Sequence, residues 1–295
     1  MNTTTLIFSV EGNDHEIALI DDSASETLKQ LRAWAPADID IHCAKIAGCH
    51  VYWPCPILAR LEHGTDIHTL PPGAVLYYPD RQYLEIIYDA LQAETAAVTL
   101  VGMLKGDVGW LREFATRQRR EAGAKTFTAR LRMSDGGASQ PEAITDGPPA
   151  WLRVQQARRA VWSAEPAEVK MLLARSGHNI PFGPMATADG YFRFVQECVW
   201  QVWNQPERYD SRQKQAIAVN ALELGIARIG HYCHLGDSES FLKDAIVCVE
   251  RPSAPLQDIF REIIFYCSRM SNWIDLHIPW FAANELAKRT LGRND

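Results

Sequence analysis

The sequence lacks a long apolar run, a glycine-rich nucleotide loop and an excess of positive charge, and each absence excludes a class of protein. No stretch approaches the roughly 20 apolar residues that a membrane-spanning helix needs. No Gly-x-Gly-x-x-Gly segment follows a predicted strand, which disfavours a dinucleotide-dependent enzyme. The formal net charge is −6, which argues against binding to a nucleic-acid backbone. We therefore expect no membrane, no nucleic-acid partner and no cofactor.

Cysteine is present, but never in the paired spacing of a structural zinc site. The chain has seven cysteines, an odd number, and their positions are scattered along the sequence. Cys43, Cys49 and Cys55 lie near several histidines, so a zinc site is an alternative, although the Cys-x2-Cys knuckle is missing. The histidines in question are His42, His50, His63 and His68. The segment Met1-Asn-Thr-Thr-Thr5 lacks the basic charge of a signal peptide. We predict free thiols in a reducing cytoplasm and no bound metal.

The chain changes character near residue 140. Its 295 residues and 47% hydrophobic content are sufficient for two packed cores. Residues 1–133 have the pattern of short strands around two helices, and residues 134–149 are rich in Gly, Pro and small polar residues. Residues 150–295 have helical periodicity and short loops, which predicts a helical bundle. We therefore predict an α+β protein with a β-rich domain, a linker and a bundle, and a ligand site where the two domains meet.

The first domain has the pattern of a small closed barrel. Apolar alternation predicts a hairpin at its start, then a helix, several short strands and a second helix near residues 109–122. Ser23 and Glu26 have the spacing of a capping box, which predicts that their side chains cap the first helix. Many short strands with only two helices favour a barrel whose ends the helices cover.

Three segments of this domain, taken in order, resemble the bacterial cyclophilin-like barrel family. They are Leu19–Leu28, His42–Pro54 and Leu70–Pro79. In that family a short helix follows an Asp-Asp-Ser-type segment, and a Pro-Pro-Gly turn enters a strand. The Phe-His-Arg and Gly-Gly-Asp segments of cyclophilin-type prolyl isomerases are absent, so the resemblance does not extend to prolyl isomerase activity.

A helical bundle after such a barrel resembles the cucumopine and mikimopine synthase family in domain order. The resemblance implies a cofactor-independent, cytoplasmic opine synthase that condenses the amine of L-histidine with the ketone of 2-oxoglutarate. The imidazole ring then attacks the iminium, which is a Pictet–Spengler cyclisation. The missing nucleotide fingerprint agrees, because the reductive route to opines uses NAD. The partners implied are small molecules, and a homo-oligomer is the default expectation for a soluble enzyme with a Trp-rich bundle.

Glu85 is the first candidate for the acid or base that this reaction needs. It lies in Tyr83-Leu-Glu-Ile-Ile-Tyr-Asp89, where alternation predicts Leu84, Ile86 and Tyr88 in the barrel core and Glu85 on the opposite face. If the helical domain covers that outer face, the carboxylate is partly desolvated, which suits proton transfer. The alternative is an ordinary solvated glutamate.

Other candidates could bind substrate carboxylates or move protons. Lysines at strand positions can pair with carboxylates, and histidines titrate near neutrality. In addition to Glu85, the predicted catalytic residues are Lys45, Lys105, His42 and His178. The predicted substrate-binding group is Tyr83, Tyr78, Arg81, Trp53 and His231. For every one of them, an ordinary structural or surface role is the alternative.

His231 and His234 are three residues apart on a predicted helix and so could face one ligand or metal. No Glu-x-x-His partner precedes them, because Arg228 occupies that position. The alternative is a pair of histidines at a helix end, near the negative end of the helix dipole. We favour this alternative and predict no metal here.

Two further functions remain open from the sequence. One is a natural-product cyclase or isomerase on the same scaffold with a different amine. The other is a non-catalytic ligand-binding protein in which the helices serve assembly. Substrate panels would separate the first from an opine synthase, and ligand binding without turnover would identify the second.

Overall fold

The computed structural model describes residues 5–44, 48–90, 95–121, 124–136, 143–175, 182–278 and 280–292. The chain forms two compact units. One contains Met1–Pro141 together with Pro279–Asp295, and the other contains Glu142–Ile278. The last segment, which the sequence pattern placed with the helical bundle, therefore groups with the strands.

Nine described strands build the first unit, and eight of them close into a barrel. Their bounds are β1 Thr5–Val10, β2 Asn13–Leu19, β3 Ala37–Cys43, β4 His50–Pro54, β5 Thr65–Asp66, β6 Ala74–Tyr78, β7 Tyr83–Ile87, β8 Ala97–Leu104 and β9 Phe127–Met133. The order is β2-β1-β9-β3-β4-β7-β6-β8, with β2 pairing back onto β8 and β5 added at β8. The predicted α+β class, a barrel followed by helices, is confirmed.

Gly102 lies at the seam where β2 and β8 close the barrel. It pairs with Leu19 across the seam. A Cβ at this position would come within 2.6 Å of the Ala18 carbonyl oxygen and 3.0 Å of Ile17 Cγ2. The two strands can approach this closely only because the residue has no side chain.

The barrel interior is a single apolar core, built by alternate residues of each strand. Phe8 and Trp53 stack inside it with ring centroids 5.4 Å apart. Among the described residues, this unit has three α-helices: α1 Ser25–Trp34, α2 Gly109–Glu121 and α9 Trp280–Thr290. Phe281 of α9 packs against the same core.

The cap of α1 differs from the predicted capping box. Ala24 is the N-cap and makes no side-chain cap bond, and the Ser23 hydroxyl donates to the Ile20 and Leu100 carbonyls instead. The carboxylate of Glu62 accepts hydrogen bonds from the backbone N–H groups of Glu26 and Thr27, both at 2.9 Å. A distant carboxylate therefore satisfies the helix start, which no local motif could indicate.

The second unit is helical. Its elements are α3 Pro149–Ser163, α4 Ala167–Ala174, α5 Phe182–Asn204, α6 Ser211–Gly225, a π-helical turn Ile226–Tyr232, α7 Gly236–Glu250 and α8 Leu256–His277. A buried ion pair joins α3 to α8, with Arg158 Nε 2.8 Å from Glu262 Oε2. Within the described ranges, no helix is long and apolar enough to cross a membrane.

Candidate active site on the outer face of the barrel

Glu85 lies on the outer face of β7, as the alternation predicts. Leu84, Ile86 and Tyr88 belong to the barrel core, while Ile87 belongs to a second apolar cluster on the other face. Glu85 is only 1% exposed. Its neighbours in register are Tyr52 of β4 and Leu76 of β6. The carboxyl group is therefore held away from water.

An aromatic ladder runs across the strands beside Glu85. The ring of Tyr52 stacks on His42 of β3 at 4.9 Å and on Tyr83 of β7 at 4.7 Å, between centroids. His50 lies 6.0 Å from Tyr52 in a tilted arrangement. All four side chains are buried. The stacking fixes these rings on the same face as Glu85, which gives the site rigid walls.

The imidazole of His50 lies beside the carboxyl group of Glu85. Its Nε2 lies 3.8 Å from Glu85 Oε2. Burial, together with the positive charge of Arg119, lowers the pKa of His50 from 6.5 to about 4. The imidazole is therefore neutral near pH 7 and has one nitrogen that can donate and one that can accept.

Arg119 of α2 anchors the end of the barrel near this histidine. Its guanidinium donates to the Tyr88 hydroxyl at 2.7 Å and to the Gly48 carbonyl at 3.3 Å, and it lies over the ring of Phe281. Burial raises the pKa of Tyr88, so the phenol stays protonated. Arg119 therefore contacts the barrel, although it lies in the basic helical segment Arg117-Gln-Arg-Arg120.

The hairpin between β6 and β7 brings three of the predicted binding residues together. Tyr78 pairs with Tyr83 across the ladder, and Arg81 lies in the turn between them, half-buried. The backbone N–H of Arg81 donates to the Tyr78 carbonyl at 3.3 Å. Tyr78, Arg81, Tyr83 and Glu85 thus share one short segment, so an anion bound by Arg81 would lie on the hairpin that carries the buried carboxyl group.

Other predicted residues lie elsewhere. Trp53 is fully buried in the barrel interior, on the opposite side of β4 from Tyr52. Lys105 is half-exposed, with Nζ 2.7 Å from Glu16 Oε2. His231 is largely exposed on the π-helical turn, 3.4 Å from Glu239. Lys45 and His178 lie outside the described residues.

His231 and His234 do not share one regular helical face. The π-helical turn ends at Tyr232, and His234 has a positive φ of 55°. The guanidinium of Arg175 donates to the carbonyls of Cys233 and His234, so an arginine satisfies this helix end. Over the part of the chain that the structure describes, no group of three or more His, Cys, Asp or Glu side chains is placed to hold a metal ion.

The sequence pattern assigns His50 only to a histidine-rich region and assigns no role to Tyr52. The signal for both was present, since Tyr52 and His50 alternate with the core residues Val51 and Trp53. Their proximity to Glu85 depends on the pairing of β4 with β7, which the local pattern does not specify.

No family model matches the chain, and no curated protein matches it. Among solved structures, the structure of McbB in complex with tryptophan is similar, with a TM-score of 0.79 and 17% identity over 95% of this chain and 99% of that one. The solution structure of the hypothetical protein AF2241 from Archaeoglobus fulgidus has a TM-score of only 0.33, with 15% identity over 44% of this chain and 94% of that one. The similarity to McbB shows a shared fold over nearly the whole chain.

Proposed function

We propose that the protein is a Pictet–Spengler-type enzyme that condenses an amino acid with a 2-oxo acid and cyclises the product without a nucleotide cofactor. The observation that carries the proposal is a buried glutamate beside a neutral histidine on the outer face of the barrel. The shared fold with McbB supports it, because that protein was solved with tryptophan, an amino acid that combines an amine and an electron-rich ring.

The reaction sets two opposite demands on one site. Condensation of the amine with the ketone forms a carbinolamine, whose C–O bond breaks when an acid protonates the leaving water. The ring carbon then attacks the iminium carbon, a C–C bond forms, and a base removes the ring proton so that aromaticity returns. The site donates one proton when water leaves and takes one proton back when the ring becomes aromatic again, so the two steps balance.

Glu85 is proposed to meet both demands in turn. As a carboxylic acid it donates the proton that releases water, and as a carboxylate it accepts the ring proton and is reset. A water-excluded position favours this cycle, since bulk water would compete for the proton and hydrolyse the iminium. Tyr52 and Tyr83 would line the ring of the amino acid, and Arg81 would pair with a substrate carboxylate.

The remaining predicted residues keep supporting roles in the proposal. Lys45 and Lys105 are proposed to pair with carboxylates or transfer protons, and His42 and His178 remain predicted catalytic residues. For Lys105 this requires exchange of its Glu16 partner for a substrate anion.

The test is direct. Purified protein is mixed with an amino acid and 2-oxoglutarate without NADPH, and mass spectrometry seeks a product of the summed mass less one water. Treatment with borohydride separates the outcomes, because an open imine gains two hydrogens and a cyclised product does not. Glu85→Gln should abolish the cyclised product, whereas Glu113→Gln, at an exposed position of α2, should retain it. Absence of cyclised product with every pair would refute the proposal.

The identity of the amine is the second question. The sequence resemblance favours histidine, with 2-oxoglutarate as the ketone, and so an opine product. The tryptophan in McbB favours an indole amine on the same scaffold. Parallel reactions with histidine and tryptophan, compared by initial rate, decide between an opine synthase and another natural-product cyclase.

A further inference from the structure

We propose that His50 is a positioning residue that holds the carboxyl group of Glu85 through its Nε2 nitrogen. The inference deepens the proposed function and rests on it for its catalytic consequence. The contact between the two side chains is testable without any substrate.

The strand register places the pair. His50 pairs with Ile87 and Tyr52 pairs with Glu85, so His50 is the diagonal neighbour of Glu85 on the same face. The two side chains are 3% and 1% exposed. The Nε2 to Oε2 distance of 3.8 Å is longer than a hydrogen bond, and a movement of less than an ångström closes it. Catalytic hydrogen bonds often tighten in this way when substrate binds.

His50 can orient the carboxyl group of Glu85 because its imidazole is neutral. An imidazolium at this distance would favour the ionised carboxylate and so weaken Glu85 as an acid. A neutral imidazole presents a donor to the carboxylate when Nε2 carries the proton, and an acceptor to the carboxylic acid when Nδ1 carries it. It can therefore orient Glu85 in both protonation states that the proposed cycle requires. Besides Glu85, the charged group shown acting on His50 is Arg119 of α2.

The first experiment reads the contact in the substrate-free protein. The ring nitrogens of His50 are observed by 15N NMR near neutral pH in the native chain, in Glu85→Leu and in the surface variant Glu16→Leu. We expect Glu85→Leu alone to shift the His50 nitrogens and change the proportion of its tautomers. Identical spectra in all three proteins would overturn the inference.

The second experiment reads the consequence in turnover. His50→Leu keeps the approximate volume and removes both nitrogens, whereas His50→Gln retains one donor and one acceptor. We expect His50→Leu to lower kcat by about 10- to 100-fold, the weight of one hydrogen bond to a charged group, with little change in KM. His50→Gln should recover part of that loss. His15→Leu is the matched control, since His15 stacks on Trp110 elsewhere in the unit.

The two experiments separate the possible failures. If the NMR coupling is present but no substrate pair yields product, the proposed function fails and the His50–Glu85 contact stands. If product forms and Glu85→Gln abolishes it while His50→Leu keeps full kcat, the function stands and the inference about His50 is wrong.

Discussion

Acidification should weaken the fold through His50, and the size of the effect follows from its burial. The side chain is 3% exposed, and its pKa falls from 6.5 to about 4 in the folded protein. Between these two pKa values, His50 is mostly protonated in the unfolded chain and mostly neutral in the folded chain. Stability is therefore lost as the pH falls through this window and is fully present above it.

Linkage gives the magnitude. With these two pKa values, lowering the pH from about 7 to about 4.5 removes about 2 to 3 kcal/mol from the free energy of unfolding. His50→Gln cannot take up this proton, so the variant should lose about that much less than the native chain over the same interval. Its absolute stability is not the quantity compared, which removes any effect of altered packing.

The assay is urea unfolding followed by circular dichroism at the two pH values. The native chain, His50→Gln and the exposed-site control His68→Gln are measured side by side. The control should reproduce the native pH dependence. If His50→Gln also reproduces it, the imidazole is not held neutral in the fold, and the argument that it orients Glu85 in both protonation states fails.

Further variants probe the surroundings of the site. Glu62→Ala should destabilise the barrel by about 0.5 to 2 kcal/mol in thermal unfolding, because α1 loses its cap. Lys105→Met should change the free energy of unfolding by less than about 1 kcal/mol, since its ion pair is solvated. Trp53→Ala should cost about 3 to 5 kcal/mol in urea unfolding, yet the folded fraction should form the proposed product as fast as the native chain does. Arg119→Gln should raise the pKa of His50, read by NMR titration, because a nearby positive charge is removed.

The alternation of β7 was enough to place Glu85. Leu84, Ile86 and Tyr88 are apolar or aromatic at every second position, so the residue between them had to face outward. The same rule applied to β4 would have put Trp53 in the core and His50 and Tyr52 outside. Trp53 is one of the predicted substrate-binding residues, whereas the structure places it in the barrel interior.

Contacts between distant segments were beyond local patterns. The cap of α1 comes from Glu62, far along the chain, although Ser23 and Glu26 offered a plausible motif nearby. The approach of His50 to Glu85 depends on the pairing of β4 with β7, and β5 and β6 lie between these two strands in sequence. Periodicity specifies the face of a strand, but tertiary pairing decides which strands are neighbours.

Because α9 belongs to the first unit, that unit cannot be expressed as one continuous segment of the chain. Phe281 packs on the barrel core, and Arg119 lies over its ring. In genetic terms the stretch 142–278 is an insertion within the coding sequence of the first unit. A fragment that ends after the linker would lack α9 and expose the apolar surface that Phe281 covers. Expression of the first unit alone therefore requires fusing residues 1–141 to residues 279–295 through a short peptide.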